Sequence, residues 1–225
     1  MSLPIQRVSA AVTVALLCVI APAVAGQPVG AADGSSNIDV ESSRIYVFVG
    51  KKGFGHEHGV EGKLKEGTLQ LGKEQAAGKL VFDMASLDAD TEAARKYVKL
   101  DPEFDQDRQE INKTMKGKDV LDVDQHPTAT FEISSAKQAA QPEGGKGTAY
   151  ELKGNFTLRG KTRPLTLTAS LSEGQNGKSR LTGNFKIKQT DFGIKPYSAG
   201  FGLAAVTDEL VIYGDLQMTP SRAGK

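Results

Sequence analysis

Apolar residues recur at every second position in stretch after stretch of this chain, and glycine-bearing turns separate the stretches. Between residues 150 and 158, Leu152, Gly154, Phe156 and Leu158 share one side while Glu151, Lys153, Asn155 and Thr157 share the other. Residues 162–171 group Leu165, Leu167, Ala169 and Leu171; residues 178–188 group Leu181, Gly183, Phe185 and Ile187; residues 209–218 group Leu210, Ile212, Gly214, Leu216 and Met218. Successive side chains on a strand point to opposite faces, so this period of two marks antiparallel sheet with one buried and one wet face. Adding 44–49, 60–65, 79–85 and 128–136 gives about eight strands. Strands of this length expose costly edges unless the sheet closes, so an all-β, eight-stranded antiparallel barrel is expected, with a two-sheet sandwich as the alternative. The recurrent inward glycines suggest curvature, or room for another body against the wall.

One segment departs from the pattern. Residues 90–117 are rich in Ala, Glu, Gln, Lys and Arg, with Thr91 or Asp90 placed to cap a short helix. Pro102 divides the segment, and a second helix is expected from about Glu103 to Met115. Such a short helical insertion either lids an open barrel end or packs on the outer wall.

The N-terminus reads as an export leader over residues 1–25. Arg7 is followed by an apolar run and by Ala23 and Ala25, spaced as a cleavage signal. Cys18 would anchor a lipoprotein, but Leu17 is a poor residue to precede that modification. Ordinary cleavage removes the chain's single cysteine, and disulfide and thiolate-metal chemistry with it. It also leaves 27 basic against 27 acidic residues, from 28 and 27 in the whole chain, since Arg7 departs. No basic patch or stripe stands out, so nucleic acid is not an expected partner. Residues 26–43 read as a flexible N-terminal segment, 44–219 as the barrel domain and 220–225 as a tail.

Candidate chemistry is sparse. His56 and His58 would leave an extended strand on the same side, but two imidazoles make an incomplete metal site, and only His126 remains to join them. A polar role at a turn or cavity mouth is the expected one, and no metal is assigned. Asp191-Phe192-Gly193 lacks every accompanying kinase motif; Asp191 is expected to satisfy backbone N–H groups at a turn, with Phe192 in the core. No catalytic constellation is found, no cofactor is implied, and the chain is not expected to be an enzyme.

The order of elements resembles a known family. Pro127 with Phe131 and Ser134-Ser135, the run Gly154-Asn155-Phe156-Thr157-Leu158-Arg159-Gly160-Lys161-Thr162-Arg163-Pro164, and the Asp191-Phe192-Gly193 turn are similar to those of the YceI-like polyisoprenoid-binding periplasmic proteins. That resemblance covers about residues 40–219. It implies a lipocalin-like extended barrel that binds and carries or sequesters an isoprenoid lipid or isoprenoid quinone, in the periplasm or outside the cell. It leaves room for transient membrane contact and for a homodimer. The family's charged Arg-Asp-x-His-Leu run is matched here only by Arg95 and Leu100. Under the resemblance, the inward residues Leu152, Phe156, Leu165, Leu167, Leu181, Phe185, Ile187 and Ile212 are the ligand-cavity candidates; His56 and His58, flanked by Gly55 and Gly59 and expected near a barrel end, are the polar head-group candidates by their own position. A small-molecule or stress-related binding protein with a different ligand, or a metal-dependent protein using His56 and His58, are the competing readings.

Overall fold

The computed structural model describes residues 38–102, 107–141, 146–174 and 177–219. The leader, Cys18, residues 26–37 and the tail fall outside the described residues. Nine strands form one antiparallel sheet: β1 (Ile38–Gly53), β2 (His58–Leu69), β3 (Gly78–Ala89), β4 (Thr128–Gln138), β5 (Thr148–Leu158), β6 (Lys161–Glu173), β7 (Ser179–Lys188), β8 (Ser198–Ala199) and β9 (Ala204–Met218). Neighbours follow chain order through β7, then β9, and β9 pairs back onto β1, so eight long strands close a barrel and the two-residue β8 rides on the edge of β9. The barrel expected from the alternation is therefore the fold observed, and the sandwich is not.

Strand β1 begins at Ile38, six residues before the expected start at Arg44. The opening residues are polar enough to read as a linker, yet Ile38 is buried against the core and pairs with Met218. The register shifts between Asp39 and Arg44, where Ser43 is buried and its hydroxyl accepts from the Gln217 N–H. A bulge of this kind breaks the alternation that would have revealed the strand. Among the further irregularities is one at the β4–β5 pair, where a Cβ on Gly154 would collide with the Glu132 carbonyl.

The inward faces do different things along the barrel axis. At one end, Ile38, Leu69, Leu80, Ile133, Leu152, Leu181, Leu216 and Met218 are all buried in a filled core. Towards the other end the interior is hollow. The helical insertion serves both expected roles. Helix α1 (Glu92–Tyr97), capped by the Thr91 hydroxyl accepting from the Ala94 N–H, packs outside the wall, where Tyr97 stacks on Tyr46 at 3.8 Å between ring centres and meets Tyr213 edge-on. This cover explains why β1 is apolar on both faces. Helix α2 (Arg108–Lys116) lies over the hollow end with Ile111 and Met115 towards the interior. It starts at Arg108, with Asp107 capping two N–H groups, rather than near Glu103; residues 103–106 lie outside the described residues.

One seam in the ring is incomplete. Strands β6 and β7 pair only from Ala169 with Gly183 to Glu173 with Ser179, whereas β5 and β6 pair along their full length. Beyond Ala169 the two strands part, leaving a cleft bordered by Leu165, Leu167, Asn184 and Phe185. Pro164, which cannot donate to a ladder, pairs with Asn155 of β5 and stands where β6 has no partner on the β7 side, as proline at a sheet edge should.

Candidate functional site

The hollow end encloses a cavity of about 280 Å³. Its walls come from the inward residues of seven strands, among them Val47, Val49, Val60, Phe82, Met84 and Ile212, with α2 as the roof. Of the eight residues expected to line a cavity, Phe156, Phe185, Ile187 and Ile212 do. Leu152 and Leu181 face inward too, but in the filled half, where they are 3% and 2% exposed. Leu165 and Leu167 instead border the cleft at the parted seam. Strand periodicity fixes the face a residue points to and carries no information on its height along the barrel, which is why the eight divide.

Phe156 marks the boundary between hollow and filled halves. Its ring meets those of Phe82, Phe185 and Phe192 edge-on at 6.3, 5.6 and 5.7 Å. Phe192 is buried, as expected of the Asp191-Phe192-Gly193 turn. Asp191 is not the group that satisfies that turn: it is exposed, and Asp208 accepts from both the N–H and the hydroxyl of Thr190. The bonds to Thr190 hold the Asp208 carboxyl below its usual range.

The polar lining is sparse: His58, Glu110, Thr114, Gln189 and Tyr197, of which Glu110 and Tyr197 are exposed. Gln189 is buried and its amide donates to the Thr207 carbonyl. His58 stands on the cavity wall, whereas His56 is exposed in the β1–β2 connection and does not line the cavity. His126 lies against Gly160 at the β5–β6 turn. Among the described residues no group of three His, Cys, Asp or Glu side chains could hold a metal ion.

What fixes His58 is a residue that sequence reading treated only as a possible helix cap. Asp90 follows β3 with φ 56°, a left-handed conformation that Asp tolerates better than most residues. Its backbone N–H donates to the Gly59 carbonyl at 2.6 Å. Its carboxylate is fully buried; Oδ2 pairs with His58 Nδ1 at 2.7 Å, and Oδ1 accepts from the Arg95 guanidinium at 2.9 Å and from the Gly59 N–H at 3.1 Å. Burial pushes the Asp90 carboxyl up, but the bond and charge of His58, then Arg95 and Gly59, outweigh it and hold the group below its usual range. Arg95 is itself buried and donates onward to the carbonyls of Asp101 and Glu57. Gly59 permits the assembly, since a Cβ there would lie 3.0 Å from the Ala94 carbonyl. The signal for this network in the sequence is an Asp just before a helical segment, and nothing in the one-dimensional pattern joins it to a histidine 32 residues earlier.

Comparison with known proteins places this geometry. A UPF0312 protein of Ectopseudomonas mendocina is 33% identical over 141 residues, 60% of this chain and 67% of that one. A UPF0312 protein of Azotobacter vinelandii is 32% identical over 124 residues, and the chain spans 59% of its length. Among solved structures, Burkholderia cenocepacia BcnA aligns over 81% of this chain and 99% of its own at a TM-score of 0.52 and 21% identity. A polyisoprenoid-binding domain from Saccharophagus degradans, implicated in plant cell wall breakdown, aligns over 81% and 97% at 0.50 and 11%. These two likenesses establish a shared fold. The YceI-like domain matches residues 37–218, so the chain belongs to the YceI-like family.

Proposed function

We propose that this YceI-like barrel is exported and carries or sequesters an isoprenoid-type amphiphile, with the apolar tail inside and the polar head at the mouth. The observation that carries this reading is the make-up of the cavity lining: apolar side chains on every wall, and a few polar ones, of which Glu110 and Tyr197 reach solvent. An amphiphile satisfies both kinds of lining at once, whereas a polar guest would leave its groups unpaired among Val, Ile and Phe. Burying one five-carbon isoprene unit contributes roughly 4 kcal/mol before association costs. His58, held by Asp90, and Tyr197 can exchange hydrogen bonds with a quinone carbonyl or a hydroxyl head.

The volume favours a particular form of this reading. At about 280 Å³ the cavity lies at the bottom of the range of roughly 300–1,000 Å³ common for small-molecule sites. A compact amphiphile of another class fits that space as readily as a short isoprenoid, and a long chain must project beyond it. Solvent extraction of detergent-free protein from its own host, followed by mass spectrometry, tests the assignment. An isoprenoid lipid or quinone near one equivalent is expected; a short polar or aromatic guest, or no guest, would overturn it.

A further inference from the structure

The mouth of the cavity is flanked by an apolar tip. Phe54 is 84% exposed, Leu203 65% and Phe201 fully so. They come from two segments that the fold ties together. The Phe54 N–H donates to the Leu203 carbonyl at 2.9 Å, and Gly53 pairs with Ala204. The second segment also supplies Tyr197 to the cavity wall, and its carbonyl accepts from the Val206 N–H at 3.1 Å. Tip and mouth are thus parts of one rim.

Charge on these segments has one sign. Residues 51–55 and 195–207 contain Lys51, Lys52 and Lys195 and no carboxylate. All three lysines are exposed, and none makes an ion pair among the described residues. The nearest acids in sequence are Glu57, Asp191 and Asp208; Asp208 accepts from Thr190 and its charge also acts on Lys52, and Glu110 is the one carboxylate among the cavity-lining residues.

We infer that this tip docks the barrel mouth-down on an anionic lipid bilayer, Phe54, Phe201 and Leu203 entering the interfacial layer while Lys51, Lys52 and Lys195 meet lipid phosphates. Protruding aromatic and aliphatic side chains beside lysines are the composition that partitions into a membrane interface. A fluid apolar phase receives a fully exposed side chain without a matching socket, which a rigid protein partner would have to supply. The inference rests on the proposed lipid cargo for its purpose, since docking would let a lipid pass from bilayer to cavity without crossing water. Its test does not depend on that cargo.

The chain has no tryptophan, so a Phe201→Trp variant of the protein in its exported form carries a single local reporter. With vesicles of phosphatidylethanolamine and phosphatidylglycerol containing no isoprenoid, its emission should shift to the blue and be quenched by bromine-labelled acyl chains. Adding Lys51→Glu and Lys52→Glu should weaken partitioning by roughly fivefold or more per lysine. An Ala140→Trp variant, placed in the β4–β5 connection at the filled end, should show no shift. Unchanged Phe201→Trp emission, or an equal shift from Ala140→Trp, would overturn the inference. So would a shift that follows protein concentration without vesicles, which would assign the tip to a second copy of the chain. Because the vesicles lack isoprenoid, an empty cavity in the extraction experiment leaves this result untouched.

Discussion

The two halves of the barrel are built from the same strands with the same alternation, yet they are held by different forces. In the filled half, Leu69, Ile133, Leu152 and Leu181 are almost wholly buried in the hydrophobic core. In the hollow half the inward Val47, Val49 and Ile187 are only partly covered, because they face a space rather than a neighbour. Polar pins add to the hold there, as the Lys178–Asp39 and Arg180–Asp215 pairs do at the filled end. Asp90 ties His58 and Arg95, Arg108 and Asn112 both donate to Asp88, and Arg159 donates to the carbonyls of Gly193 and Lys118. Packing that would close the cavity is replaced by hydrogen bonds that leave it open.

Breaking the buried pin should have the largest effect. Asp90→Ala leaves Arg95 buried without its carboxylate and should cost about 3–5 kcal/mol in urea unfolding. Acid should act through the same group. The folded-state pKa of Asp90 lies below its ordinary 3.8, so its contribution is complete above that value and is lost as pH falls through the folded pKa. Asp39 behaves likewise: its bonds to Lys178 and Ser42 bring it down to about 2. An Asp90→Asn variant should therefore lose less stability on acidification than the parent, as followed by denaturant midpoints across the acid limb; equal loss would remove Asp90 as a source.

Leu181→Ala should come next, at about 2–5 kcal/mol, with the lipid content of the remaining folded protein unchanged. Ile187→Ala should reverse that balance, costing under about 2 kcal/mol because a space already adjoins it, while retained lipid falls severalfold. If both variants lose stability and lipid alike, the division into halves is wrong. The smallest effects belong to the histidines: His58→Gln should shift head-group preference modestly in competition assays, and His56→Gln should change neither fold nor retention.

Closure, strand number and the inward face of each strand were legible because burial on one side writes a period of two into the sequence. The hollow was not. Leu152 and Ile187 occupy equivalent places in their own strand patterns, and only the stagger of strands around the ring puts one in the core and the other on the cavity wall. The early start of β1 was hidden by the bulge at Ser43, and the Asp90 network by its dependence on a contact between the ends of β2 and β3. His56 and His58 looked interchangeable in sequence; the turn that precedes β2 separates them, leaving one exposed and one on the wall.

The parted seam between β6 and β7 bears on how long a guest the barrel can accept. Elsewhere in the ring, widening the interior means breaking ladder hydrogen bonds, each worth about 0.5–1.5 kcal/mol. Past Ala169 and Gly183 there are none between these strands to break, so Leu165, Leu167 and Phe185 can be pushed apart as leaves of an expansion joint. Capacity then becomes an elastic property instead of a fixed volume. Across a series of isoprenoid chain lengths, affinity should level off gradually once the cavity is full; an abrupt cut-off would mean that the joint is rigid.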